Sequence, residues 1–419
     1  MLKNLAIERE RVFLKNRLKF KQTILMYVYG YVYIEEVPGM AFIDPWRKLS
    51  CPSCGTQFYP GYCDIVSALP NGTVLKKAPT SSIQRMLARV WITTVKGQKY
   101  VKQMAGRQCP NPACNSILPP NIEQADNYLI ALIGDGSAGK SHYIASCIQL
   151  LKQRETLELI GCSKIVGWGN TDTTYKNKYY NYVFGKLQQI PLTPRATSEL
   201  NEPLIYELIF PKEAGRKRAK IVNLFFYDSS GEDLADQSRM VQYSSYVLKA
   251  SAFIFLADPL TMPNIVKSLP DNLKPQVVRE SSSADMLNRI TETFRLGMGL
   301  SSGEAIDVPV AVTLSKSDLL KYVVRSEISS TQFLYEGTST NRLNTDDYAT
   351  IDSEVRNFIL RFGDKVLIQS SKLFNTVSFF AVSATGWAAK DGHYPVIESL
   401  RCLDPLLWIL WKLQVIDAD

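Results

Sequence analysis

The chain has 419 residues, of which 46% are hydrophobic and 21% are charged, and its formal net charge is +8. This balance excludes an intrinsically disordered chain and predicts about two or three domains that can each bury a core. The charge is modest for the length, so composition does not indicate a nucleic-acid-binding protein. The longest apolar stretch near the N-terminus, residues 24–34, is about eleven residues long, whereas a transmembrane helix needs about twenty. We therefore expect no membrane span.

Three regions follow one another along the chain. Residues 1–50 form a basic and aromatic arm, residues 51–120 are bracketed by cysteine pairs, and residues 121–419 alternate apolar strands with helical patterns. The last region predicts an α/β domain with insertions, in which a mostly parallel sheet has helices on both faces. Its expected strands span residues 128–133, 204–210, 221–227, 252–257, 308–314 and 377–382, and its expected helices include residues 143–151, 286–300 and 351–362. A basic run at residues 212–220 predicts a hairpin between the second and third strands, so one of these two should be an antiparallel edge strand.

The first of these strands runs into a phosphate-binding loop. Residues 134–141 read Gly-Asp-Gly-Ser-Ala-Gly-Lys-Ser, which matches G-x-x-x-x-G-K-[ST] in its strand–loop–helix setting. The glycines let backbone N–H groups converge on a phosphate, and the helix that follows adds partial positive charge. Lys140 should bind the β- and γ-phosphate oxygens, and Ser141 should bind Mg²⁺. The predicted nucleotide contacts from this loop are Gly134, Asp135, Gly136, Ser137, Ala138, Gly139, Lys140, Ser141 and His142.

The third strand supplies the expected γ-phosphate sensor. It ends in Asp228, which can hold Mg²⁺ through water, and the backbone N–H of Gly231 can meet the γ-phosphate. Glu232 follows at the position where Ras-like enzymes place a water-orienting Gln. Its side chain can orient a water, but its negative charge predicts slow hydrolysis. A strand that ends in Asp is also typical of ATPases, so this element leaves both classes open.

A switch threonine, with its hydroxyl on Mg²⁺, is expected just before the second strand. Thr197 is the first choice and Thr193 the second. More distant candidates are Thr171, Thr173 and Thr174. The neighbouring Arg195 is either a solvated loop residue or an arginine finger supplied by the chain itself.

The fifth and sixth strands favour guanine. Residues 315–318, Ser-Lys-Ser-Asp, resemble the guanine-recognition motif [NT]-K-x-D of translation-factor and Ras-like GTPases. In that motif the Asp carboxylate accepts hydrogen bonds from guanine N1–H and the exocyclic amine, and the Lys stem packs along the base. Lys316 and Asp318 match, whereas Ser315 departs from the pattern. Ser383 and Ala384 match the element whose backbone N–H contacts guanine O6. Because ligands bind at the carboxyl ends of parallel strands, the order of the motifs predicts a GTP/GDP site.

The motifs together predict a GTP-binding and GTP-hydrolysing protein. Its expected catalytic residues are Lys140, Thr197, Asp228, Gly231 and Glu232, with Mg²⁺ held by Ser141, Thr197 and Asp228. Two alternatives stay open. If residues 315–318 are an ordinary loop, the chain is a P-loop ATPase. If Glu232 marks lost catalysis, the chain is a non-hydrolysing, nucleotide-gated scaffold.

Two cysteine pairs predict a metal site ahead of the α/β domain. Cys51 and Cys54 are spaced C-x-x-C, Cys109 and Cys114 are spaced C-x₄-C, and Cys63 is a spare candidate ligand. In a reducing cytoplasm clustered cysteines indicate metal rather than disulfides, and four thiolates form a closed, structural Zn²⁺ site. Strand-like residues 90–95 and 99–104 predict a hairpin that returns the second pair to the first. The alternative is a set of unligated surface thiols.

Residues 51–419 resemble the zinc-ribbon-bearing bacterial double-GTPase proteins. The resemblance is carried by the Cys-Pro knuckles, the loop at 134–141, the Phe-Phe-Tyr-Asp-Ser-Ser-Gly-Glu segment at 225–232 and the C-terminal Leu-Asp-Pro-Leu-Leu-Trp segment at 403–408. It implies a paired GTPase switch in a bacterial signalling or conflict system. It also implies a companion GTPase and activating proteins as partners. We expect a cytoplasmic location and no nucleic-acid partner.

Overall fold

The computed structural model describes residues 43–66, 74–94, 96–97, 106–114, 116–191, 203–211, 220–228, 247–275, 282–301, 303–323, 331–338 and 343–418. The predictions made for residues 1–42, 99–104 and 212–219 lie outside these ranges. So do the predictions for Thr193, Arg195, Thr197, Gly231 and Glu232, which therefore stay predictions from sequence.

A small cysteine-bearing module comes first. Its strands are β1 (Leu49–Ser50), β2 (Gln57–Phe58), β3 (Asp64–Val66), β4 (Val74–Lys76), β5 (Arg107–Gln108) and β6 (Ile117–Leu118). β1 pairs with β2, and the other four form an antiparallel sheet in the order β4-β3-β5-β6. Helix α1 (Ser82–Thr93) lies between β4 and β5.

Helix α1 corrects one prediction. The strand expected at residues 90–95 is wrong, because α1 runs through residue 93. Ser81 and Gln84 form a capping box that starts the helix, and residues 85–89 are strong helix formers. At the other end Ile92 is buried against Ile43. Local helix preference and this burial outweigh the β-branched residues near the C-terminus of α1.

The larger sheet has seven strands among the described residues and confirms the predicted α/β fold. Its strands are β7 (Asp126–Gly134), β8 (Lys164–Gly167), β9 (Leu204–Phe210), β10 (Lys220–Asp228), β11 (Ala252–Ala257), β12 (Val310–Leu314) and β13 (Val377–Ala381). Their order is β13-β12-β11-β7-β10-β9-β8, and all neighbours are parallel except at β9. Every residue of β11 and β12 is buried, which requires cover on both faces of the sheet.

One edge of this sheet differs from the prediction. β9 is antiparallel to β10, as expected for one member of that pair, but it is not the edge strand, because β8 pairs with its other side. β8 has only four residues, none of them fully buried. Its short, half-exposed sequence carries too little pattern to predict a strand.

Helices and short helical turns connect the strands. They are α2 (Lys140–Leu151), α3 (Arg154–Leu159), α4 (Thr171–Tyr175), a π-helix (Lys176–Gly185), two 3₁₀ turns (Pro259–Thr261 and Asp271–Leu273), α5 (Pro263–Ser268), α6 (Ser283–Met298), α7 (Ser317–Leu320), α8 (Gln332–Tyr335), α9 (Thr345–Phe362), α10 (Lys365–Ser371) and α11 (Asp404–Lys412). Helices α2, α6 and α9 correspond to the three predicted ones. Among the described residues, no helix is both long and apolar enough to cross a membrane.

The register of the sheet brings the predicted motifs to one edge. Leu132 near the end of β7 pairs with Asp228 at the end of β10, and Gly134 pairs with Leu256 of β11. The last residues of β12 pair with the last residues of β13. The segments that follow these five strands therefore leave the sheet at the same edge.

Candidate functional site

The predicted phosphate-binding loop joins β7 to α2. Position 134 requires glycine, because a Cβ on Gly134 would collide with the backbone carbonyl of Leu256. Gly139, the N-cap of α2, has a φ of 81°, a left-handed conformation that favours glycine. The Lys140 ammonium group donates to the carbonyl oxygens of Gly134 and Asp135, at 2.8 Å each. The loop thus closes around its lysine at the positive end of α2.

Asp228, the last residue of β10, lies beside this loop. Ser141 Oγ donates to Asp228 Oδ2 at 2.9 Å, and the Tyr179 hydroxyl donates to the same oxygen at 3.1 Å. Burial raises the pKa of the Asp228 carboxyl, although Lys140 and the two hydrogen bonds act in the opposite direction. A hydroxyl beside a carboxylate is an oxygen donor set that suits Mg²⁺. The side chains brought together here therefore fit a magnesium ion.

Tyr179 is a site residue that no motif predicts. It lies on the π-helix, is 7% exposed, and its ring stacks with Tyr175 at 6.2 Å between centroids. π-Helical turns are rare in proteins as a whole, but those that occur often lie at functional sites. The sequence signal that could have indicated it is the tyrosine-rich run at residues 175–182.

The described switch-threonine candidates lie on α4. Thr171 is buried, and its Oγ1 accepts a hydrogen bond from the backbone N–H of Ile205 at 3.0 Å. Thr171 therefore links α4 to β9. Thr173 and Thr174 follow it on the same short helix. Thr197 stays the first choice on sequence grounds.

The Lys-x-Asp and Ser-Ala segments meet at the ends of β12 and β13. Ser383 Oγ donates to Asp318 Oδ1 at 2.6 Å and accepts the backbone N–H of Gly386 at 2.8 Å. Ala384 extends this segment, and its carbonyl oxygen accepts Ser146 Oγ of α2 at 2.6 Å. Ser383 is buried and Asp318 is partly exposed. A carboxylate held by a buried hydroxyl can present its other oxygen to a base.

Ser315, which departs from the Asn or Thr of the motif, still anchors its loop. Its hydroxyl donates to the Ala257 carbonyl oxygen at 3.2 Å, and its backbone N–H donates to the same oxygen at 3.0 Å. The next residue, Lys316, has a φ of 51°, an uncommon left-handed conformation for a lysine. Strained backbone of this kind concentrates at functional sites.

Asp258, directly after β11, is a second residue that sequence reasoning missed. It is 1% exposed, and its Oδ2 accepts hydrogen bonds from Ser137 Oγ at 3.0 Å and from Lys316 Nζ at 2.8 Å. Its backbone N–H donates to Ser283 Oγ, which in turn donates to Asp135 Oδ2. Asp258 therefore joins the phosphate loop to the loop that carries Lys316. The available signal was an acidic residue immediately after an apolar strand.

His142 ties the phosphate loop to two further segments. Its Nε2 accepts the backbone N–H of Ile190 at 3.2 Å and lies 3.1 Å from the Tyr394 hydroxyl. An acceptor at Nε2 requires the neutral ring. Burial lowers the pKa of His142 to about 4, and the Lys316 cation adds to the shift. The backbones of residues 187–189 and 392–394 also bond to each other, so both segments are fixed relative to the loop.

The four predicted zinc ligands come together. Cys51 Sγ and Cys114 Sγ are 3.9 Å apart, Cys54 Sγ and Cys109 Sγ are 3.6 Å apart, and all four sulfurs lie within 4.8 Å of one another. A tetrahedral site with Zn–S bonds of about 2.3 Å separates its sulfurs by about 3.8 Å, so the set fits one zinc ion. Cys63, the spare candidate, is buried outside this set.

The cysteine cluster lies far from the phosphate loop. Arg47 pairs with Asp126, the first residue of β7, at 3.2 Å, and Lys249, just before β11, donates to the Gly55 carbonyl oxygen. These contacts attach the module to the amino ends of β7 and β11, whereas Gly134 lies at the carboxyl end of β7. Metal bound here can hold the module together but cannot reach a nucleotide at the carboxyl ends of the strands.

The fold and the site define a class of protein. A mostly parallel sheet carries a phosphate-binding loop, an acidic residue on the adjacent strand and a Lys-x-Asp loop two strands away, as in P-loop GTPases. A profile of the Double-GTPase 2 family matches residues 128–372, more than half of the chain, and the chain belongs to this family. Membership in a GTPase family implies a protein that binds guanine nucleotide as a switch.

Two further similarities extend this comparison. A protein of Mycolicibacterium smegmatis, described as a candidate ESX-1 scaffolding and assembly protein, SaeC, is 28% identical over 318 residues, which cover 71% of this chain and 78% of that protein. The signal recognition particle receptor SRb-GTP/SRX complex from Chaetomium thermophilum aligns with 14% identity and a TM-score of 0.25, over 63% of this chain and 93% of that chain.

Proposed function

We propose that this chain is a Mg²⁺-dependent molecular switch that binds GTP and hydrolyses it to GDP and phosphate. The observation that carries the proposal is the hydrogen bond between Ser383 and Asp318. It presents a carboxylate at the ends of β12 and β13, on the sheet edge that also carries the phosphate-binding loop. A carboxylate accepts from guanine N1–H and the exocyclic amine, a donor pair that adenine lacks.

Each residue of the proposed site has a separate role in phosphoryl transfer. Lys140 moves from the loop carbonyls to the β- and γ-phosphate oxygens and offsets their charge. Ser141 and Asp228 would hold Mg²⁺, which would neutralise charge on the same oxygens. Gly231, Thr197 and Glu232 contact the γ-phosphate region and orient the attacking water. This last assignment rests on the sequence alone.

Lys316 and Asp318 recognise the base in this scheme. The Lys316 stem packs along the base plane, while its ammonium group stays on Asp258. Ser383 fixes the Asp318 carboxylate, and the backbone N–H of Ala384 meets guanine O6. Support for this division comes from the strand-end placement of all four residues.

The cysteine module would hold a structural Zn²⁺ and serve as a docking element for protein partners. Closed thiolate sites hold a fold together and leave no open position for chemistry. A companion GTPase and activating proteins are the expected partners, and the scaffolding description of the Mycolicibacterium relative supports a protein-binding role. The resemblance to double-GTPase proteins supports a role in signalling or conflict, and a nucleotide-binding protein of this type is expected in the cytoplasm.

Two measurements test this function. Titration of the purified chain with fluorescent GTP and ATP should give at least about tenfold tighter binding of GTP, and equal or tighter ATP binding would favour the ATPase alternative. Multiple-turnover phosphate release in Mg²⁺ should exceed the rate of a Lys140→Ala variant. If the wild type binds GTP tightly but releases phosphate no faster than Lys140→Ala, even with partner proteins, the non-hydrolysing scaffold would be the alternative that remains. The negative charge of Glu232 is compatible with that alternative.

A further inference from the structure

The positive charge of the chain is concentrated in one segment. Residues 65–122 contain eight Lys and Arg and no Asp or Glu, which equals the net charge of +8 of the entire chain. Among the described residues, the exposed members are Lys76, Lys77, Arg85 and Lys96. Arg107 differs, since it is buried in an ion pair with Glu123. A binding partner of this segment must therefore present negative charge.

The C-terminal half of helix α1, in the middle of this segment, is fixed to the cysteine module. A Cβ on Gly61 would collide with the Ala88 carbonyl group, so the two backbones are in close contact. The Arg89 guanidinium lies 3.6 Å over the Tyr59 ring and donates to the Tyr62 hydroxyl at 3.1 Å. Ile92 is buried. The helix therefore has a rigid base.

The N-terminal half of α1 protrudes. Residues 82–87 are all exposed, and Ile83, Met86 and Leu87 are 71%, 46% and 42% exposed. With Val90 they occupy positions i, i+3, i+4 and i+7, the spacing of the anchors in helix-in-groove recognition. The capping box forms this end of the helix in advance, which lowers the entropic cost of binding.

We propose that α1 is a docking helix that packs against an acidic amphipathic helix of a partner protein. The apolar stripe would meet the apolar face of that helix, and Arg85 and Lys77 would meet its carboxylates. A membrane or a nucleic acid matches the exposed surface of α1 less well than such a helix does. The aromatic side chains that insert into lipid or stack on bases are here engaged by cations of the module, Arg89 on Tyr59 and Lys76 on Trp91. The inference deepens the partner-docking role proposed above.

The test uses the full chain and a labelled synthetic helical peptide with Leu at i, i+3, i+4 and i+7 and Glu at its other exposed positions. The double variant Ile83→Ser/Leu87→Ser should bind this peptide at least about tenfold more weakly, and Arg85→Glu should weaken it similarly. Matched controls are Leu296→Ser, which is 82% exposed on α6, and Arg154→Glu on α3, whose side chain is 86% exposed. Both controls should bind like the wild type.

Four outcomes overturn the proposal. The first is equal binding of a peptide with the same composition in scrambled order, and the second is unchanged binding by the α1 variants. The third is no binding at about 1 mM peptide. The fourth is tighter binding to phosphatidylglycerol vesicles or duplex DNA that the α1 substitutions abolish. GTP affinity, measured in the same samples, should not change. If the wild-type chain did not bind GTP, the GTPase assignment would be refuted independently of the peptide result.

Discussion

Asp258 and Lys316 form an ion pair at 2.8 Å, in which the Asp258 side chain is 1% exposed and the Lys316 side chain is 28% exposed. The same carboxylate accepts Ser137 Oγ of the phosphate-binding loop. The two loops proposed to hold the phosphates and the base are thus joined through one buried carboxylate. The backbone of Lys316 in the second loop is left-handed, with a φ of 51°, a conformation that concentrates at functional sites.

Asp258→Asn tests this link. The Asn amide keeps the hydrogen bond from Ser137 but lacks the negative charge that pairs with Lys316. The free energy of unfolding should therefore fall by about 1–3 kcal/mol, and GTP affinity should fall about tenfold. Chemical denaturation and nucleotide titration measure the two effects. Asp271→Asn is the control, because Asp271 pairs with Lys274 on the surface and should change neither quantity. Wild-type GTP affinity in Asp258→Asn would show that the ion pair does not position the base loop.

Asp228→Asn should stabilise the nucleotide-free protein while abolishing its Mg²⁺ response. Folding raises the pKa of Asp228 above its usual value of 3.8. At pH values between 3.8 and the raised pKa, the native state therefore binds more protons than the unfolded state. The carboxylate therefore lowers stability at neutral pH, and this loss disappears as the pH falls below 3.8. We expect Asn to raise the free energy of unfolding at pH 7 by about 1 kcal/mol. A variant less stable than the wild type at pH 7, or one whose GTP affinity still rises with Mg²⁺, contradicts the account.

His142→Gln should remove a pH dependence of stability. Because the pKa of His142 falls from 6.5 to about 4 on folding, the unfolded state binds more protons between these values. Stability should decrease as the pH falls from 6.5 towards 4, by about 3 kcal/mol, and then level off. Gln keeps an acceptor for the Ile190 N–H but cannot titrate. His393→Gln, which replaces the other histidine of the chain, should retain the transition. Identical urea-denaturation profiles for the wild type and His142→Gln would contradict this.

The cysteine cluster should contain one zinc ion for each chain. Metal analysis of the purified protein should detect it, and the double variant Cys109→Ser/Cys114→Ser should lose it together with much of the module's folding free energy. Cys63→Ala is the matched control, since this cysteine lies in the same module but outside the sulfur cluster. Zinc loss in Cys63→Ala, or zinc retention in the double variant, would mean that the ligand set is wrong.

Much of the fold could be predicted because its central strands are continuous apolar runs. The runs at residues 204–210 and 252–257 have the same bounds in sequence and structure. β8 could not be predicted, since a short edge strand depends on its neighbour β9 rather than on its own sequence. The helix at residues 82–93 was missed because a capping box and buried Ile92 outweighed a β-branched run.

The positions of Lys140, Asp228 and Asp318 could be predicted, because each belongs to a motif that follows an apolar strand, while their roles stay predictions. Asp258 and Tyr179 could not, because their roles arise from tertiary contacts between segments that lie far apart in sequence. Tyr179 reaches Asp228 across 49 positions of the chain, and Asp258 reaches Ser137 across 121. Pairings of this kind depend on how the helices and loops pack onto the sheet.

The most direct test of guanine recognition is competition binding of GTP, ATP and xanthosine triphosphate to the wild type and to Asp318→Asn. In the proposed site the Asp318 carboxylate would accept from guanine N1–H and the exocyclic amine, whereas an Asn amide would accept from N1–H and donate to the xanthine 2-oxygen. The wild type should prefer GTP, and the variant should lose at least about 100-fold in GTP affinity while gaining affinity for xanthosine triphosphate. An unchanged nucleotide preference in Asp318→Asn would contradict the base-reading role of this site.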